Sequence, residues 1–185
     1  IISGVGGDEL FGGYPSFNII PKINKYMKLI PESKILKLLI NRKLYSFLKK
    51  RRLKTKYTGI LDYGRNINSA FLLVRSLFLP NEIDELIDKN SFKNGYEELD
   101  ITNTLSSDIS DIKDTRLSIM YLEIKYYLCS KLLRDSDWTS MANSIELRTP
   151  FVDWSFFNKL IPLIKNDKLI NKKTKCLSMK DNLPI

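Results

Sequence analysis

The chain has 185 residues, 43% of them hydrophobic and 28% charged, and this composition predicts one folded domain rather than a disordered segment. It contains no histidine, so Ser-His-Asp catalysis, Cys-His catalysis and the commonest zinc sites are excluded from this segment. No apolar run reaches the roughly 20 residues of a membrane helix, and we expect a cytoplasmic protein without membrane contact whose two cysteines are reduced.

Residues 1–14, IISGVGGDELFGGY, hold five of the eight glycines of the chain. A short β-branched strand that leads into this glycine loop predicts an anion site, because closely spaced glycines let successive N–H groups converge on a phosphate. The acids Asp8 and Glu9 would repel phosphate unless a cation lay between them, and Mg²⁺ binds one or two carboxylates together with substrate phosphates. The loop has neither Walker A nor Rossmann spacing, so an ordinary glycine-rich turn with a solvated acidic pair remains the alternative.

Helical patterns follow the loop. Apolar periodicity predicts two or three amphipathic helices over 19–53, broken near Pro31, and a further helix over 65–79 that ends at Pro80. A short helix capped by Asn81 is predicted over 81–87.

The polar stretch 91–111 is predicted to be a loop, and a core helix is predicted to begin between residues 111 and 115. A last helix is predicted over 174–180. Spacings of four, three and four place four residues of the core helix on one face, namely Leu117, Tyr121, Ile124 and Leu128.

The net charge of +9 is concentrated between Lys22 and Lys56, where thirteen lysines and arginines stand against the single acid Glu32. One interpretation is a nucleic-acid-binding module, in which aromatic residues of this region stack on bases. Lysines on the outward faces of amphipathic helices are more often ordinary solvated surface, so binding to nucleic acid is disfavoured.

Two long motifs carry a family resemblance. Residues 3–14, SGVGGDELFGGY, and residues 132–153, LLRDSDWTSMANSIELRTPFVD, resemble the paired signatures SGDGGDELFGGY and LLRKVDRMSMAHSLEVRVPFLD of the asparagine synthase family. The resemblance implies an α/β fold, namely a synthetase domain of the PP-loop ATP-pyrophosphatase (adenine nucleotide alpha hydrolase-like) type. Residues 1–185 would be part of that domain, mostly helical with one or a few strands at the N-terminus.

The same resemblance implies a fragment of an ATP-dependent amide ligase. Such an enzyme converts aspartate, or a related carboxylate, to its amide through an acyl-adenylate and releases AMP and pyrophosphate. Mg²⁺ would be held by Asp8, whereas Glu9 is either a supporting metal ligand or the acidic first turn of a helix. Contacts to ATP and pyrophosphate are implied for Ser3, Gly4, Gly6 and Gly7.

In the second motif, the resemblance implies substrate-binding or site-supporting roles for Asp137, Glu146 and Arg148. The guanidinium of Arg148 suits either a substrate carboxylate or the carboxylate of Glu146. The alternative is a salt-bridged turn over 146–151 that only positions the core.

Two departures from the family pattern limit these expectations. Val5 stands where the family usually has an acid, or a tyrosine in related enzymes, and valine cannot accept a proton. The SGGxDS loop that grips ATP, the glutaminase domain and the C-terminal lysine segment are expected to lie outside these 185 residues. Ammonia derived from glutamine would then come from a missing or separate domain, and we expect the chain alone to be inactive; an inactive remnant is the alternative.

Overall fold

The computed structural model describes residues 1–31, 55–83 and 86–165, which fold almost entirely into helices. The chain divides into two compact units, the first comprising Ile1–Asn18 and Arg116–Ile185 and the second Ile19–Thr115. In chain order the helices are α1 (Gly7–Phe11), α2 (Ser16–Leu29), a 3₁₀ turn (Thr55–Gly59), α3 (Ile60–Tyr63), α4 (Ile67–Arg75), α5 (Pro80–Ile83), α6 (Lys89–Leu99), α7 (Ile101–Asp108), α8 (Thr115–Leu122), a π-helical segment (Glu123–Leu133), α9 (Arg134–Met141), a 3₁₀ turn (Pro150–Val152) and α10 (Trp154–Lys165).

The first unit is organised by the long helix 115–141, in which α8, the π-helical segment and α9 follow without a break. Leu122 and Leu133, at the two junctions, both keep right-handed helical backbone angles. Among the described residues of this unit, the buried apolar side chains are Leu10, Phe17, Ile119, Met120, Leu122, Leu128, Leu160 and Ile164. The buried side chains of the unit thus come from α1, the start of α2, this helix and α10.

The predicted core helix is confirmed, and it begins at Thr115 as expected. The prediction of its buried face is wrong for Tyr121, which is 39% exposed, although Leu128 is buried at 3%. Tyr121 precedes the π-helical segment, so the error arises within α8 itself: its buried face is formed by Ile119, Met120 and Leu122 rather than by Tyr121.

At the N-terminus, the described residues contain a single parallel bridge, between Ile2 and Arg148, rather than a continuous strand. The mostly helical character agrees with expectation. The surrounding α/β sheet stays a prediction.

In the second unit, α4 packs against α7, and the Asn68 side chain donates a hydrogen bond to the Ser106 hydroxyl. The turn before α4 is tied to α2, because Asn24 donates to the carbonyl of Arg65 and the Arg65 guanidinium donates to the carbonyl of Ile30. The helix predicted from residue 19 is confirmed as α2, which ends at Leu29, just before Pro31. The helix predicted over 65–79 is confirmed in part, because α4 covers Ile67–Arg75 and ends before it reaches Pro80.

The predicted loop over 91–111 is wrong, since α6 and α7 occupy most of it. Asp88 caps α6 by accepting hydrogen bonds from the amides of Asn90 and Ser91 at 3.1 and 3.0 Å. Asp100 separates the two helices with a φ of +39°. Helix α6 has apolar residues at helical spacing between Phe92 and Leu99 but buries none of them, and the polar residues around them obscure this pattern in the sequence.

The predicted cap of the short helix before residue 87 is also wrong, because α5 begins at Pro80 and contains Asn81. The carboxylate of Glu82 accepts a hydrogen bond from the Leu79 amide at 2.8 Å. In a capping box, the third helical residue bonds the amide of the cap residue in this way. Proline at the first helical position lacks an N–H group, which would have had no partner there.

Several predictions fall on residues outside the described ranges, namely the helices over 32–54 and 174–180 and most of the basic segment. Within the described ranges, no helix combines the length and apolar character that crossing a membrane requires. Cys129 is an exposed free thiol.

Candidate functional site

The two sequence motifs meet through their backbones in the first unit. The Ser3 amide donates to the Arg148 carbonyl and the Arg148 amide donates to the Ile1 carbonyl, both at 2.9 Å. The Ile1 nitrogen donates to the Glu146 carbonyl oxygen at 2.8 Å. These three hydrogen bonds follow the pattern of two parallel strands, in which one residue bonds two alternate residues of the other strand. Residues 146–148 thus fix the segment from which the glycine loop emerges.

Only glycine fits at position 6, because residues 151 and 152 of the second motif pack closely against it. Its φ is +96°, and a Cβ atom placed there would lie 3.0 Å from Val152 Cγ2 and 3.2 Å from Phe151 Cβ. The Phe151 ring would lie 3.6 Å from a Cβ atom added to Gly7, and it makes an edge-on contact with Phe11, with ring centroids 5.7 Å apart. Phe151 therefore supports both ends of α1.

Gly12 and Gly13 have neighbours of a different kind. Gly12 has a φ of +73°, and a Cβ atom there would lie 2.5 Å from Arg116 Nη2. A Cβ atom on Gly13 would overlap Oδ1 of Asp8, so the Asp8 carboxylate folds back over this glycine. The Gly12-Gly13 pair thus makes room for one guanidinium and one carboxylate.

Gly4 differs from these glycines, because a Cβ atom added to it would have no atom within 4 Å and its φ is not positive. Its carbonyl accepts from the Gly7 amide at 3.1 Å, and the Ser3 hydroxyl accepts from the Val5 amide at 3.3 Å. Within the described part of the chain, the amides of Gly4 and Gly6 donate no hydrogen bond. The turn therefore presents two unused donors, and the first of them lies next to open space.

Glu9 is almost completely buried, with 1% of its surface exposed. The Tyr14 hydroxyl donates to Glu9 Oε1 at 2.9 Å, whereas Oε2 has no hydrogen-bond partner among the described residues. Burial raises the pKa of the Glu9 carboxyl, the charges of Asp8 and Glu123 raise it further, and the hydrogen bond from Tyr14 opposes them. Burial and the Glu9 hydrogen bond also raise the pKa of Tyr14.

Asp8 is exposed at the start of α1, in contrast to Glu9. The described residues contain no group of three or more carboxylates or thiols placed to hold a metal ion. Of these two consecutive carboxylates, only Asp8 is exposed and could bind Mg²⁺, which takes most of its ligands from water and substrate phosphates, whereas the unpaired oxygen of Glu9 is buried.

In the second motif, Arg148 and Glu146 pair with each other. Arg148 Nη2 lies 3.0 Å from Glu146 Oε1, and Arg148 Nε donates to the same oxygen at 3.1 Å. Their side chains are 73% and 74% exposed, so this ion pair contributes little to stability. Asp137 is exposed on α9, and its side chain makes no hydrogen bond or ion pair with the described residues. The structure pairs residues 1–3 with 146–148 through the backbone, whereas the Asp137 side chain forms no hydrogen bond or ion pair with the described residues of either segment.

Sequence reasoning missed two charged residues of the long helix. Arg116 Nη2 donates to the Phe11 carbonyl at 3.1 Å, and the fully buried Glu123 accepts a hydrogen bond from the Ser16 hydroxyl. A signal was available for Glu123, because a lone acid between Leu122 and Ile124 in a core helix predicts a buried partner. No local signal identifies Arg116.

Comparison with known proteins gives a consistent assignment. The profile of the asparagine synthase family matches residues 1–179. A curated relative, asparagine synthetase [glutamine-hydrolyzing] 1 of Bacillus subtilis (strain 168), is 27% identical over 180 residues, which cover 97% of this chain and 27% of the relative. The chain thus spans about a quarter of the length of that relative. The search of solved structures gives no significant match. The resemblance inferred from the two motifs is confirmed: the chain belongs to the asparagine synthase family.

Proposed function

We propose that this chain carries the pyrophosphate-binding part of an ATP-dependent amide ligase of the asparagine synthetase type. The ligase converts aspartate, or a related carboxylate, to its amide through an acyl-adenylate. The substrate carboxylate attacks the α-phosphorus of ATP and expels pyrophosphate, and ammonia then attacks the acyl carbon and expels AMP. The chemistry of the family and the name of the B. subtilis relative support the assignment.

The observation that carries the proposal is the environment of Gly4. The neighbours of Gly6, Gly12 and Gly13 explain why these positions are glycine, but no neighbour explains Gly4. A glycine that the protein's own packing does not require fits a position where a ligand approaches the backbone closely. The unused amides of Gly4 and Gly6 supply donors for such a ligand, and pyrophosphate is a suitable acceptor.

In this proposal, each residue of the loop has a separate task. The amides of Gly4 and Gly6 donate to the leaving pyrophosphate, whose charge grows as the bond breaks, and Gly7, whose amide donates to the Gly4 carbonyl, closes the turn that presents them. Because the Ser3 hydroxyl oxygen accepts from the Val5 amide, its own proton is left to donate to the nucleotide. Asp8, supported by Glu9, would hold Mg²⁺, which when bound supplies charge neutralisation of the phosphates.

The second motif supports this loop. Arg148 and Glu146 position the segment 1–3 through their backbones, and their mutually paired side chains lie at the surface. Asp137 is assigned a supporting role on α9. Val5 offers no proton acceptor, so any base for the incoming amine has to come from another residue. Ammonia released from glutamine elsewhere would serve as the nitrogen source, and a cytoplasmic location would supply ATP and keep Cys129 reduced.

The test replaces Gly4 by alanine and measures binding of magnesium pyrophosphate and of ATP by titration calorimetry. The matched control is Gly95→Ala, because a Cβ atom added to Gly95 in α6 also has no atom within 4 Å. We expect Gly4→Ala to weaken binding at least about tenfold while the thermal midpoint stays unchanged, since a tenfold loss needs only about 1.4 kcal/mol of lost contact. Wild-type affinity in Gly4→Ala, or no binding by the unsubstituted protein, would overturn the proposal.

A further inference from the structure

We propose that Arg116 is a positioning residue for the glycine loop, since it holds the end of α1 that lies away from the ligand. This inference rests on the proposed function, because it names a residue that acts on the pyrophosphate site without touching it. The first motif does not contain Arg116, which lies more than 100 residues further along the chain.

Three contacts of the guanidinium converge on residues 11–17. Nη2 donates to the carbonyl of Phe11, the last residue of α1, at 3.1 Å. The last carbonyls of a helix have no partner within the helix, so this bond satisfies one of them. The guanidinium also fills the space over Gly12 and lies above the Phe17 ring, with Cζ 5.5 Å from its centroid.

Because α1 has only five residues, it cannot be stable by itself and depends on contacts at both ends. At its start, Gly6 packs against Phe151 and Val152. At its end, Arg116 supplies the hydrogen bond and fills the space beside Gly12. A helix of this length spans only about 7 Å, so a shift at Phe11 is transmitted to the Gly6 amide within one and a half turns.

The same helix also holds the chain beyond the loop. Glu123 lies seven residues after Arg116, hence two turns away on the same side of an ideal helix, and it accepts the hydrogen bond from Ser16. The loop is therefore attached to the long helix at two points, one before and one after Tyr14. Arginine suits the first point better than lysine, because a planar guanidinium can donate in its plane and contact a ring with its face.

The test compares Arg116→Lys and Arg116→Ala with a matched control, Arg65→Lys. Arg65 also donates to a backbone carbonyl near the end of a helix, that of Ile30, but it belongs to the second unit. Magnesium pyrophosphate affinity is measured by calorimetry, and amide hydrogen exchange is followed at Leu10 and Gly13. Those amides bond the carbonyls of Gly6 and Asp8 at 3.2 and 2.9 Å and therefore report on the geometry of α1.

We expect both Arg116 variants to lose roughly ten- to a hundredfold in affinity, since a misplacement of about 1 Å can cost a hundredfold. Exchange at Leu10 and Gly13 should accelerate, while exchange in α4 and the affinity of Arg65→Lys stay unchanged. Gly12→Ala, which displaces the guanidinium but keeps Arg116, should give the same pattern if Arg116→Ala fails to fold. Wild-type affinity and exchange in Arg116→Lys and Gly12→Ala would overturn the positioning role alone. Absence of binding by the unsubstituted protein would overturn the proposed function and this inference with it.

Discussion

Replacing Gly6 by alanine should destabilise the first unit strongly, for two separable reasons. The backbone at Gly6 has φ +96° and ψ −16°, a conformation that residues with a Cβ atom rarely adopt. The added methyl group would also lie 3.0 Å from Val152 Cγ2 and 3.2 Å from Phe151 Cβ, closer than ordinary van der Waals contact.

The magnitude follows from these two costs. A sparsely populated backbone conformation costs about 1–3 kcal/mol. Inserting a methyl group into a packed position costs about 1–3 kcal/mol more. The free energy of unfolding should therefore fall by about 2–6 kcal/mol, a large part of the roughly 5–15 kcal/mol typical of a folded protein.

The assay is urea unfolding followed by circular dichroism at the helical band, with Gly4→Ala as the control. A Cβ atom added to Gly4 meets open space, so this substitution should change the free energy of unfolding by less than about 1 kcal/mol. Val152→Ala removes the Cγ2 atom but leaves Phe151 Cβ, so the double variant should recover only the part of the steric loss that Val152 causes. A Gly6→Ala protein within about 0.5 kcal/mol of the unsubstituted chain would refute the reasoning, because that is the range of neutral surface changes.

Three further outcomes are expected. Tyr14→Phe removes the donor to the buried Glu9 carboxylate and should lower the free energy of unfolding by about 1–3 kcal/mol in urea titrations; an unchanged midpoint would show that water or another donor replaces the hydroxyl. The hydrogen bond from the Ser91 amide lowers the pKa of Asp88. The stability that the ionised Asp88 carboxylate contributes is therefore present above the unfolded pKa near 3.8 and is lost as pH falls through the folded pKa. Asp88→Asn keeps a capping side chain without that charge, and its acid unfolding curve should lack this component, whereas an identical curve would contradict the assignment. Gly95→Ala, in the middle of α6 with no atom near the added methyl group, should raise the stability of the second unit by roughly 0.5–1 kcal/mol in thermal unfolding, and a decrease would show that the helix is not formed there.

Most of the helices can be predicted from sequence wherever they bury an apolar stripe. Helices α2, α4 and α8 have such stripes, and the periodicity predicts their positions correctly. Helix α6 buries nothing and escapes prediction, since its caps, Asp88 and Asp100, look like loop residues in a polar stretch. The predicted buried face of the core helix fails at Tyr121, because apolar side chains stand on both sides of it in the sequence and only tertiary packing selects Ile119, Met120 and Leu122 for burial.

The features of the candidate site also fall into those that the sequence predicts and those that it does not. The order of residues in the glycine loop, and its likeness to the asparagine synthase family, are properties of a contiguous motif and can be recognised without coordinates. The motif does not, however, show which distant residues pack against it in the folded protein. Glu9 is buried and Asp8 exposed although they are adjacent acids in the sequence, because only Glu9 faces Tyr14 and the long helix.

The sequence by itself determined the family and the density of glycines, because both depend on residues that are consecutive in the chain. Only the tertiary structure decided why each glycine is needed. Gly6 is required by Phe151 and Val152, and Gly12 is required by Arg116, partners that lie more than 100 residues away. Steric demands of that kind arise when distant segments pack together, so no local pattern can encode them.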